Sequence, residues 1–199
     1  VSVGVIGSAD EINTVDITGA SGITLKGNIT TSDAAGNTVT LTGAVTLGAA
    51  VTIDTNNTTN DGDISFSSTI NGAQTLSLDA GAADVTVSGA TGASTALTSL
   101  TITGNDITLA NIGAAGAGVT GDTSVTASTA GAADTGSITF TGSTYRANKQ
   151  TYDAGAAANT INVNAGAATT FTSSNDAISF TGAISLAAGC SVALATVPF

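Results

Sequence analysis

Apolar and polar residues alternate in short bursts along this chain, most plainly in the stretch TVTLTGAVTLGAAVTID at 38–54. It holds three apolar-polar-apolar triplets, at 39–41, 45–47 and 51–53, separated by Thr, Gly and Ala. In an extended segment successive side chains point to opposite sides, so V-T-L sends Val and Leu to one face and Thr to the other. Three residues make no stable strand alone and must gain stability by stacking on similar neighbours. A rung of three such faces joined by turns takes about 20 to 25 residues. The pattern therefore predicts an all-β parallel β-helix (β-solenoid) of roughly 8–10 short rungs, a rod of about 40 to 50 Å. No stretch carries the 3.6-residue apolar period of a helix. The alternative is an antiparallel β-sandwich, which also suits many short strands. It calls for longer strands and bulky core aromatics, and five Phe and two Tyr are few for that purpose.

Internal matches support a single repetitive domain over 1–199, with weak repeats spanning 12–110 and 97–194. NTVTLTGAVTL (37–47) aligns with DAISFTGAISL (176–186), and INTVDITG (12–19) with LTSLTITG (97–104). GDISF (62–66) pairs with GSITF (136–140), each followed at one offset by D-A-G, at 79–81 and 153–155. Self-similarity of this kind marks solenoids and arrays.

The segments GDISFSSTINGAQTLSLDAG (62–81), STALTSLTITG (94–104) and KQTYDAG (149–155) resemble the β-strand repeats of giant bacterial exoproteins. These are the filamentous-haemagglutinin-like and autotransporter-passenger-like adhesins. The resemblance implies a secreted, mostly right-handed parallel β-helix, non-enzymatic through its repeats, serving as stalk, adhesin or matrix fibre.

Composition narrows the partners. The net charge is −11, with Lys26, Arg146 and Lys149 the only basic residues. Nucleic acid requires basic side chains to displace its counterions, so it is excluded as a partner. No run of about 18 apolar residues exists to span a bilayer as a helix. Cys190 stands alone, so no internal disulfide forms, and its A-A-G-C-S-V context reads as a small rung position. The chain opens VSVGVIG with neither Met nor a basic leader, which reads as a processed form or part of something longer.

Candidate chemistry is sparse. With no His and one Cys, the usual Ser-His or Cys-His pairs cannot be assembled, and no cofactor motif is present; the chain reads as a non-enzyme. Asn60-Asp61-Gly62-Asp63 places two carboxylates on a glycine turn, making Asp61 and Asp63 weak calcium candidates. Turn chemistry accounts for the same residues. Both tyrosines and two of the three bases fall within eight positions, Tyr145, Arg146, Lys149 and Tyr152 among them. That concentration suggests an interaction segment, against the alternative of a strand with packed tyrosines and solvated bases. Both ends are apolar and uncharged: VSVGVIG, with Val1, Val3 and Val5, and VALATVPF, with Val197 and Phe199. A free-standing β edge is normally blunted by charge, Pro or a cap. These ends are expected to meet other chains and build a homopolymer. The function expected is an extracellular structural subunit of a bacterial surface fibre or matrix. The alternative is an adhesin fragment holding a glycan or a cell-surface protein.

Overall fold

A computed structural model describes residues 1–8, 12–114, 118–128, 135–155, 159–174 and 176–196. The chain winds as a parallel β-solenoid of about seven turns, and no helix occurs among the described residues. Three faces recur in the order I, II, III. Face I carries β2 (Val15–Thr18), β5 (Val39–Thr42), β8 (Ile64–Phe66), β11 (Val85–Val87), β13 (Asp106–Leu109), β15 (Ser137–Phe140), β18 (Thr160–Val163) and β21 (Ala183–Leu186). Face III carries β4 (Ile29–Thr30), β7 (Val51–Asp54), β10 (Thr75–Asp79), β12 (Ser99–Gly104), β14 (Thr123–Ala127), β17 (Gln150–Asp153) and β20 (Ile178–Thr181). Face II is split. β1 (Ser2–Val3), β3 (Ile23–Leu25), β6 (Val45–Leu47) and β9 (Ile70–Asn71) form one part, and β16 (Thr144–Ala147), β19 (Ala168–Ser173) and β22 (Ser191–Thr196) the other. Single bridges at Thr91 and Ile112 join them.

Every pairing between these strands is parallel and in register, so like stacks on like in long columns. On face I, Val15, Val39, Ile64, Val85, Ile107, Ile138, Ile161 and Ile184 form one inward column. Thr40, Ser65, Thr86, Thr108 and Thr139 stack on the outer side of the same strands. This is the predicted triplet logic: Val39 and Leu41 are buried while Thr40 is half-buried. Burial of such columns, at about 25 cal/mol per Å² of apolar surface, is the main favourable term holding the rod together.

With about seven turns and eight strands stacked on face I, the count sits at the lower edge of the expected 8–10 rungs, because turns differ in length. Successive members of the face I column lie as close as 21 residues (Ile64 to Val85) and as far apart as 31 (Ile107 to Ile138). The internal matches also fall differently from whole-turn repeats. Residues 37–47 run from face I to face II, whereas 176–186 run from face III to face I. The shared T-G-A corner turns both vertices on a glycine at positive φ, Gly43 at 129° and Gly182 at 123°. GDISF and GSITF, by contrast, both lie on face I, three turns apart.

Candidate functional surfaces and the two open ends

The tyrosine-rich segment enters the core. Alternation along β16 and β17 turns Tyr145, Ala147, Gln150 and Tyr152 inward, leaving Arg146 half-buried and Lys149 exposed. Phe140, Tyr145 and Tyr152 thus bring one ring from each face into the same cross-section, with centroids 4.6 and 4.8 Å from Phe140 in edge-to-face contact. Phe171 and Phe180 extend the cluster through the next turn. Both phenols are satisfied inside. Tyr145 Oη donates to the Leu109 carbonyl at 2.9 Å and accepts from the Gly142 amide at 3.0 Å. Tyr152 Oη donates to Gln150 Oε1 at 2.9 Å, and Gln150 Nε2 donates to the Thr172 carbonyl at 2.8 Å. Burial pushes both phenols above their ordinary pKa. The expectation of tyrosines facing a ligand is therefore corrected: both rings are fully buried. Of the four residues singled out there, Arg146 and Lys149 are the two that reach the outside.

Corner carboxylates bind the rod to itself. Asp61 accepts the Asn57 amide at 2.7 Å through Oδ1 and the Ala82 amide, one turn on, at 2.6 Å through Oδ2. Asp63 Oδ1 accepts the Asp84 amide at 3.1 Å, and Asp33 Oδ1 accepts those of Thr59 and Asn60. The Asn60 amide holds the Asp33 carboxyl below its usual value. Partial burial, then the Asp79 and Asp61 charges, raise that of Asp54. Asparagines act alike: Asn71 Oδ1 accepts from Ser94 and Thr95, and Asn111 Oδ1 from Ser143 and Thr144. Among the described residues, no group of three or more His, Cys, Asp or Glu gathers to hold a metal ion. Asp61 accepts backbone amides through both oxygens and Asp63 through one, as turn-holding carboxylates do.

The ends are where apolar surface opens. At the start, Val1 and Val5 are 62% and 61% exposed, and Val3 packs half-buried on the core. At the other end Ile184 and Leu186 of β21 are about half exposed, Leu194 of β22 more so and Val192 less. These side chains belong to the inward columns, and no described turn covers them. Val197 and Phe199 lie outside the described residues. No family model, curated protein or solved structure matches this chain. Sequence reasoning placed the apolar end at 192–199 and missed Ile184 and Leu186. The signal was present in the match between 37–47 and 176–186, whose apolar positions point inward in both copies. No described helix is long and apolar enough to cross a membrane.

Proposed function

We propose that this chain is a structural protein, the subunit of an extracellular surface fibre or matrix that assembles end to end through its open β edges. The observation that carries this reading is the continuity of the apolar columns through the described turns, with Ile184, Leu186 and Leu194 exposed at one end and Val1 and Val5 exposed near the other. A parallel ladder ending this way leaves both hydrogen-bonding edges and apolar side chains to be covered, and a heterologous contact that does not close yields an open fibre. The corner carboxylates and asparagines tie turn to turn and so serve the rod's rigidity. Electron microscopy and sedimentation of the purified chain test the reading. Filaments growing with concentration are expected; discrete monomers at high concentration would sink it.

A further inference from the structure

Asn71 and Gly72 form the only Asn-Gly pair in the sequence. Such a pair is prone to close on itself, because glycine has no side chain to shield its amide nitrogen from the asparagine side-chain carbonyl. The pair stands at the end of β9, where the face II ladder breaks. After Thr91 the next turn leaves the sheet, and it is bridged again at Leu97. Residues 92–96 lie against the pair instead. Asn71 Oδ1 accepts the Ser94 amide at 2.9 Å and the Thr95 amide at 3.1 Å, and the Gly72 amide donates to the Thr95 carbonyl at 3.2 Å. Both groups that would react are thus held by one dipeptide. The glycine itself is required here. Its φ is 126°, and an added methyl carbon would lie 2.5 Å from the Leu47 carbonyl oxygen.

We propose that Asn71–Gly72 is a spontaneous modification site, held unreactive while residues 92–96 are docked and converted to aspartate when they lift. The Gly72 nitrogen bonds to Asn71 Cγ and gives up its proton, and the side-chain nitrogen takes up a proton and leaves as ammonia. Water then opens the five-membered imide. Attack at Cγ restores the main chain and leaves aspartate at 71. Attack at the main-chain carbonyl leaves isoaspartate, with the backbone rerouted through the side chain. The first product fits. Asp33 Oδ1 accepts two successive amides from the next turn, those of Thr59 and Asn60, as Asn71 Oδ1 accepts those of Ser94 and Thr95. A carboxylate at 71 keeps both bonds and makes them charge-assisted. The second product adds a backbone atom where Gly72 passes close to Leu47, and it does not fit. Asn111 supplies the contrast within the chain. Its Oδ1 also accepts two successive amides, but the β-branched Ile112 follows it and shields the nitrogen.

Peptide mapping by mass after mildly alkaline incubation tests the site, with folded and urea-unfolded chains side by side. The peptide carrying 71–72 is expected to convert about tenfold or more slowly in the folded chain, because reaction waits on local opening. The peptide carrying Asn111 is expected to stay unchanged over the same period. Ser94→Pro deletes one of the two amide donors and is expected to speed conversion at 71 in a chain that keeps the parent's circular dichroism. Asn71→Asp is expected to melt with the parent, and Asn71→Ala below it. Equal rates in the folded and unfolded chains, an unchanged rate in Ser94→Pro, or conversion at Asn111 keeping pace with Asn71 would overturn the proposal. So would an Asn71→Asp chain that melts no higher than Asn71→Ala.

Discussion

Gln150 and Tyr152 sit two residues apart on β17 and share a hydrogen bond inside the rod, the phenol donating to the amide oxygen at 2.9 Å. The same amide donates across to Thr172 on face II, so one buried side chain ties two faces together. Gln150→Ala removes the partner of the phenol and the side-chain bond to the Thr172 carbonyl, and opens a cavity. A loss of about 3 kcal/mol is expected. Tyr152→Phe should cost about 1 to 2 kcal/mol, and the double change less than the sum. Denaturant midpoints of the four proteins check this.

The tyrosines set the alkaline limit. Their folded pKa values lie above the unfolded value of about 10, so the stability contributed by the neutral phenols is fully present below about pH 10 and is lost as pH rises beyond it. Tyrosinate absorbance is expected to stay absent while the fold persists and to appear together with loss of the β signal in circular dichroism. Tyrosinate rising well before unfolding would contradict the buried placement.

Asn111 ties one turn to the next by accepting the Ser143 and Thr144 amides at 2.8 and 3.0 Å. Asn111→Ala is expected to cost about 1 to 2 kcal/mol. Hydrogen exchange should quicken at those two amides, while the face I ladder of β13 and β15 keeps its protection.

Gly62 is buried where a methyl group would strike the Asn37 backbone carbonyl and lie 2.6 Å from Asn37 Oδ1. Gly62→Ala is therefore expected to cost about 3 kcal/mol or more. Gly4→Ala, with no atom within 4 Å of the added carbon, should stay within about 0.5 kcal/mol. Thermal melts of the two side by side make the comparison.

Much of the architecture could be read from triplets such as Val39-Thr40-Leu41, because alternation alone decides which side chain is buried. The face each triplet occupies could not. T-G-A turns the corner at Gly43 and at Gly182 equally well, though one lies between faces I and II and the other between III and I. A local turn carries no record of how many corners preceded it. Turns also differ in length, from 21 residues between Ile64 and Val85 to 31 between Ile107 and Ile138, which no local pattern announces. For the tyrosines, clustering with Arg146 and Lys149 drew attention to a surface role. The odd–even placement of Tyr145 and Tyr152 opposite those bases is what sends the rings inside.

Because one corner tripeptide serves more than one vertex, the rod is not obliged to grow by whole revolutions. A duplicated stretch of coding sequence that ends at any bend can be spliced in, and the winding resumes with the inserted strands rotated onto whichever side comes next. Length becomes a freely adjustable trait for such a chain, and ancestry along it would be written in fragments that no longer share an orientation.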